Sequence, residues 1–364
     1  MNHAELIDKV QRRLALEPTL GDDLGHLVRE EAGGVIGDVE ILGVLRQLRH
    51  DTVGAGPLER VLRLPGVTDV VVNGPREVWF DRGDGLERSG IEFPDDASVR
   101  RLAVRLLSNS GRRLDDAQCF GDGKLLREDG SSLRIHAMLA PPSESGTLLS
   151  VRVLKQSRAR LAQLRGLGTF DGGGLEALRE IVCERRSFLV VGGTGSGKTT
   201  LLGAMLAEVD PRERIVCIED TAELHPDHPH VLTLITRASN TEGMGAISMA
   251  DLLKQSLRMR PDRIVLGEIR GAEVVDLLSA LNTGHDGCAG TIHANSLEEV
   301  PARLEALAAL GGLGREALHA QVQAAKPMIL VMRKGAGGRR LAQIGELSGD
   351  PLRVRVLWDG GGQP

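Results

Sequence analysis

Residues 188–200, FLVVGGTGSGKTT, constrain this chain more than any other stretch. The apolar, β-branched run over 187–191 predicts a buried strand. It leads directly into Gly192-Gly193-Thr194-Gly195-Ser196-Gly197-Lys198-Thr199, which fits G-x-x-x-x-G-K-[ST] at every fixed position. Residues 201–206 then read as an apolar helix, so the motif has the strand–loop–helix context it needs. Glycines let successive backbone N–H groups turn inward around phosphate oxygens, and the helix N-terminus adds its positive end. Lys198 is placed to reach the β- and γ-phosphates, and the Thr199 hydroxyl to ligate Mg²⁺. Gly193, Thr194, Gly195, Ser196, Gly197, Lys198, Thr199 and Thr200 are therefore the expected ligands of ATP, with Mg²⁺ as its companion. The chain holds 46 glycines, so a loose glycine pattern alone would carry little. The Lys-Thr ending between a strand and a helix gives the motif its weight.

A length of 364 residues suggests two domains, or three, and 41% hydrophobic with 26% charged residues suits a soluble globular protein. The net charge of -5 supplies no global basic field. With no Tyr, 2 Trp and 5 Phe there is little material for base-stacking platforms, so direct nucleic-acid binding is not expected. The N-terminus has no signal-type apolar core and no run reaches the length of a membrane span. Cys119, Cys183, Cys217 and Cys288 lack metal-ligand spacing and read as small buried hydrophobes in a reducing compartment. The expected location is cytoplasmic, with membrane contact only through partners.

Residues 1–52 read as a helical segment on the spacing of Leu6, Val10, Leu14, Leu24, Leu27 and Val28. Residues 53–155 read as a smaller α+β domain: strands over 67–72, 78–80, 133–138 and 148–153, a tight turn at Asn73-Gly74, and an amphipathic helix over 99–107. Its Arg112, Arg113, Arg134 and Arg152 stand at element ends, either solvated or directed at a phosphate in an interdomain cleft, where a planar guanidinium suits the charge. Residues 156–174 carry a basic run and then Gly166, Gly168, Gly172, Gly173 and Gly174, which suggests a linker and hinge. From 175 to 364 strands and helices alternate, predicting an α/β domain with a mostly parallel sheet. Strands are expected over 187–191, 214–218, 263–266, 289–292 and 328–332, with a final pair over 341–347 and 352–357 after a turn at 335–340. Helices are expected over 248–259, opened by Ser248, and over 296–310, opened by a Ser296/Glu299 capping box.

Two apolar strands end in acid. Residues 214–224, RIVCIEDTAEL, deliver Glu219, Asp220 and Glu223 to the carboxyl edge of the sheet, where α/β folds hold their ligands. A Mg²⁺-holding or water-positioning role fits three carboxylates there. Residues 263–268, RIVLGE, resemble a Walker B strand with Gly267 where Asp is commoner. Glu268 can polarise the attacking water or hold Mg²⁺ through water. Arg258, Arg260 and Arg270 flank it, set either to meet a neighbouring subunit's nucleotide or to pair with Glu268 or Asp262. His285 precedes the next strand, and His293 and Asn295 follow it, in position to sense a γ-phosphate. The HPDHPH run (His225, His228, His230) reads as a solvated loop, with a stray metal as the lesser alternative.

In this order, GGTGSGKTT, RIVCIEDTAEL, LRMRPDRIVLGEIRG and TGHDGCAGTIHAN resemble the Walker A, Asp box, atypical Walker B and His box of the secretion ATPase superfamily of type II and type IV systems. GAGPLERVLRLPGVTDVVVNG at 54–74 and GRRLDD at 111–116 extend the resemblance to about residues 50–345. It is closest to the VirB11/CpaF branch, specifically the TadA-type ATPases of Flp (tight adherence) pilus assembly. The resemblance implies a RecA-like P-loop NTPase domain behind a flexibly linked N-terminal domain. It implies Mg-dependent ATP hydrolysis by a homohexamer, with ATP between the domains and near the next subunit. It further implies work on an inner-membrane platform of a pilus or secretion system, at the cytoplasmic face. On this reading Glu268, Glu219, His293 and Lys198 are catalytic, and Thr199, Glu219 and Glu268 hold Mg²⁺. Asp220, Glu223, His285, Arg113, Arg134 and Arg152 add to the nucleotide site. The alternatives are a conjugation-type motor moving DNA or protein, and a nucleotide-gated assembly module with negligible hydrolysis.

Overall fold

In the computed structural model the described residues are 54–361 apart from 84, 128, 155–157, 238, 240–243, 283, 285 and 336, together with 6, 9, 10, 24–33, 37 and 41. The chain divides into two compact units, Met1–Lys155 and Gln156–Pro364.

In the first unit helix α1 (Leu24–Glu31) buries Leu27 and Val28; the rest of the expected helical segment lies largely outside the described residues. A 3-10 turn at Gly56–Leu58 runs into α2 (Glu59–Leu62). Strands β1 (Asp69–Asn73), β2 (Val78–Asp81) and β3 (Leu86–Arg88), helix α3 (Asp96–Asn109), and strands β4 (Phe120–Leu126), β5 (Ser132–Met138) and β6 (Leu148–Leu154) follow. The sheet order is β3-β2-β1-β6-β5-β4, antiparallel at every pairing. Period-two alternation sends Val70, Val72, Leu133, Ile135, Leu149 and Val151 into a core shared with Val99, Leu102 and Leu106 of α3. Asp95 caps α3 by accepting from Ser98 N at 2.8 Å.

The turn expected at Asn73-Gly74 runs over residues 74–77, with Gly74 at a φ of +83° and Asn73 N donating to Glu77 O at 2.8 Å. Strand β4 was not foreseen. Its Gly121 and Gly123 argue against a strand locally, but a Cβ on Gly123 would lie 2.8 Å from Leu107 Cδ2, so this strand is bare where α3 crosses it.

The second unit begins with α4 (Leu161–Gly166) and α5 (Gly172–Cys183), then β7 (Phe188–Val191), α6 (Lys198–Leu206), β8 (Ile215–Glu219), β9 (Val231–Ile235), α7 (Met249–Ser256) and β10 (Arg263–Ile269). It continues with α8 (Glu273–Leu281), β11 (Ala289–Ile292), α9 (Val300–Leu310), α10 (Arg315–Ala325), β12 (Met328–Gly335), β13 (Gly338–Ser348) and β14 (Arg353–Asp359). The sheet order is β14-β13-β12-β7-β11-β10-β8-β9. From β12 to β9 every pairing is parallel, while β13 and β14 add antiparallel. Alternate residues of each strand face opposite cores. Val191, Ile218 and Leu266 pack with α7 to α10, whereas Val190, Cys217 and Val265 pack with α4, α5 and α6. The carboxyl ends of β7, β8, β10 and β11 consequently share one edge.

The linker expected over 156–174 does not extend that far. Leu161 and Leu164 of α4 are buried with α5 and α6 in the core of this unit. Gly174 is a packing position, since Trp358 Cζ2 lies 3.0 Å from where its Cβ would sit, whereas Gly166 and Gly168 face open space. The helix expected from Ser296 begins at Val300, with Pro301 in its first turn. Glu299 is spent on Asn295, whose N and Nδ2 donate to it at 2.7 and 3.2 Å, so the capping box does not form. Ser248 does cap α7, in a box with Asp251. Cys217 and Cys288 are buried as expected of small hydrophobes, but Cys183 is exposed at the end of α5.

Candidate nucleotide site

The loop between β7 and α6 is shaped by glycine. Gly195 and Gly197 hold φ of +71° and +97°, a region that other residues rarely enter, and Gly197 is the N-cap of α6. A Cβ on Gly192 would stand 2.4 Å from Met332 O and 2.5 Å from Ser196 Oγ. Lys198 is buried and folds back on the loop, its Nζ donating to Gly192 O at 2.8 Å and Gly193 O at 3.0 Å. Burial lowers its ammonium pKa below the usual lysine range, against the pull of Glu268. Thr199 and Thr200 open α6 behind it, half-buried.

Two strands away on the same edge, β10 carries Glu268. Its Oε1 meets His293 Nε2 at 2.7 Å, and its Oε2 is held by the Arg270 guanidinium. Burial pushes the Glu268 carboxyl up, but Arg270, His293 and Lys198 outweigh it and leave the carboxyl below its ordinary range. His293, beyond the end of β11, is held below the ordinary imidazole range by burial and by Lys198, with Glu268 opposing. Thr291 Oγ1 donates to Gly267 O at 2.6 Å and ties β11 to β10 just before Glu268. The site therefore gathers a glycine-shaped loop, a lysine, an ionised carboxylate and a neutral histidine.

The other expected residues take separate places. Glu219 is 3% exposed, and its Oε2 accepts from Glu223 N at 3.0 Å and Leu224 N at 3.1 Å. It fastens the turn after β8. The same side chain accounts for the atypical glycine, since a Cβ on Gly267 would lie 2.7 Å from Glu219 Cγ. Asp220 Oδ1 accepts from Thr236 Oγ1 at 2.9 Å, and after Glu268 it and Glu223 add to the negative charge around Arg270. Within the chain Arg270 pairs with Glu268, while Asp262 Oδ2 accepts from Arg214 N at 2.7 Å. Arg113, Arg134 and Arg152 lie in the first unit. Arg113 pairs with Asp115, Arg152 Nε donates to Asp69 Oδ1 at 2.7 Å, and Arg134 stands in register with Arg152 and Lys124 across β6, β5 and β4. His285 lies outside the described residues. His228 is structural, its ring meeting Asp210 O at 3.0 Å and accepting from His230 N at 3.1 Å.

One participant was missed. Arg339, at the start of β13, donates from Nε to Gly195 O at 2.8 Å. The RKGAGGRR run that contains it shows only a basic turn in sequence, 144 residues from its partner.

The family described as type II/IV secretion system protein matches residues 51–333. A Mycobacterium tuberculosis (H37Rv) protein named "Putative conjugal transfer protein" is 54% identical over 326 residues, 89% of this chain and 93% of that one. The conjugal transfer protein TrbB of Rhizobium radiobacter is 35% identical over 290 residues, 78% of this chain and 84% of that one. Among solved structures, the pilus retraction motor PilT with bound ADP shares the fold, with a TM-score of 0.58 at 21% identity over 78% of this chain and 80% of that one. A match over most of the chain, by a family and by full-length relatives alike, means that this chain belongs to the type II/IV secretion system protein family.

Proposed function

We propose that this protein binds and hydrolyses ATP at the loop over 192–199, and that as a homohexamer it works as the cytoplasmic motor of a pilus or secretion system, of the TadA type that assembles Flp pili. The observation that supports this reading best is that Lys198 and the Glu268–His293 pair stand at the same sheet edge. The inward N–H groups and Lys198 take the β- and γ-phosphates. Glu268, ionised and aligned by His293 and Arg270, orients the attacking water and receives its proton. Thr199 and the carboxylate of Glu268, directly or through water, are hard oxygen donors that suit Mg²⁺, which would neutralise phosphate charge when bound. Glu219 supports the site through the backbone of its loop, while Asp220 and Glu223 share Arg270. In this reading Arg113, Arg134, Arg152 and His285 serve as further phosphate contacts in the hexamer. An inner-membrane platform is its partner; among the described residues no helix is long and apolar enough to cross a membrane.

Lys198→Ala should lose most ATP binding, and Glu268→Gln should keep binding and lose turnover. Wild-type binding and hydrolysis in both variants would refute the site. A conjugation-type motor is the second reading, favoured by the name of the 54% identical relative. Co-purification with a pilin-assembly platform, as against a DNA- or protein-transfer channel, separates the two.

A further inference from the structure

The sheet order sets a polarity on whatever lies along the phosphate loop. Glu268 stands on one side of β7, across β11, and the β12–β13 hairpin stands on the other. The terminal phosphate belongs beside the water-orienting carboxylate. The nucleoside end of the same molecule must then leave the loop on the hairpin side, where Arg339 lies. Its Nε is fixed on Gly195 O at 2.8 Å, and its Cδ sits 3.1 Å from where a Gly197 Cβ would be, so the side chain lies along the outside of the loop with an exposed guanidinium. A flat partner suits a purine, and the phenylalanine and tryptophan rings of this unit are engaged elsewhere. Phe170 and Phe188 are buried in the core, and Trp358 packs on Gly173 and Gly174.

We infer that Arg339 is a specificity-determining residue that receives the nucleoside end of the nucleotide, its guanidinium plane stacking on the base. Arginine planes stack on bases and on aromatic faces, with charge adding to the contact. The inference rests on the phosphate-loop reading above and adds to it the side on which the base is held.

The test compares two probes on the full chain with Mg²⁺ by calorimetric titration: ATP, and inorganic tripolyphosphate, which lacks the nucleoside. Arg339→Ala should weaken ATP roughly tenfold more than tripolyphosphate, within the range of one base stack. Arg339→Lys keeps charge but no plane and should remain weak for ATP; Arg339→Tyr restores a plane and should recover part of the loss. An equal fall for both probes would reduce Arg339 to a brace on Gly195 and overturn the inference, as would no change in either. Lys198→Ala serves as the separate control, and should abolish both probes. If it spares both, the phosphate-loop reading falls and this inference with it; if it abolishes both while Arg339→Ala shows no difference between probes, only the inference falls.

Discussion

Restoring the commoner aspartate at Gly267 should damage this protein. A Cβ there would lie 2.7 Å from Glu219 Cγ, 3.2 Å from its Oε2 and 3.4 Å from its Cβ. Glu219 cannot swing aside cheaply, because its Oε2 holds Glu223 N and Leu224 N and the side chain is buried. Forcing one carbon into such a contact costs about 1–3 kcal/mol. For a unit of this size that is a fall in Tm of roughly 2–12 °C for Gly267→Ala. Gly267→Asp should be worse, since it sets a second carboxylate against a buried one. Thermal unfolding followed by circular dichroism measures the loss, and a double-mutant cycle assigns it. On a Glu219→Ala background the Cγ and carboxylate are gone, so adding Gly267→Ala should cost little beyond the first substitution. If Gly267→Ala melts like wild type, or costs the same with and without Glu219, the packing argument is wrong.

Gly174→Ala offers a sign test. Alanine normally favours a helix over glycine by about 1 kcal/mol, but here a Cβ would stand 2.9 Å from Phe170 Cβ and 3.0 Å from Trp358 Cζ2, so the variant should unfold at lower urea and shift the tryptophan emission. His319 is buried between Asp350, at 3.0 Å from Nδ1, and Glu305, at 2.9 Å from Nε2, with Arg315 also on Glu305. Its bonds to Asp350 and Glu305 raise its pKa above the ordinary imidazole value, and its own bond to Glu305 lowers that carboxyl. The histidine's contribution is therefore complete below its unfolded pKa of about 6.5 and is lost as pH rises through the higher folded value. Urea midpoints of wild type should fall towards those of His319→Gln as pH climbs through that window; a constant gap between the two proteins would contradict this.

How legible each feature was depended on how far apart its parts lie. The phosphate loop could be read directly, since its strand, glycines, lysine and helix are contiguous. Ser248 could be read as a cap for the same reason, but Ser296 could not. The motif was present there, yet Asn295 captured Glu299 and Pro301 set the helix start. Gly173 and Gly174 read as part of a hinge because composition does not show that Trp358, far along the chain, fills the space they leave. Strand β4 was hidden for a similar reason, its glycines answering to α3 and not to strand propensity.

The sequence by itself determined that an α/β unit would carry a phosphate loop, acidic strand ends and a histidine at one sheet edge. Each of these follows from short-range patterning: apolar runs, glycine conformations and residues at the ends of strands. Only the tertiary structure decided which groups meet. The order β13-β12-β7-β11-β10-β8 brings His293 onto Glu268, turns Glu219 into the space beside Gly267, and lays Arg339 on Gly195. Those pairings depend on strand order and register between distant segments, and parallel neighbours are chosen by the packing of the whole sheet.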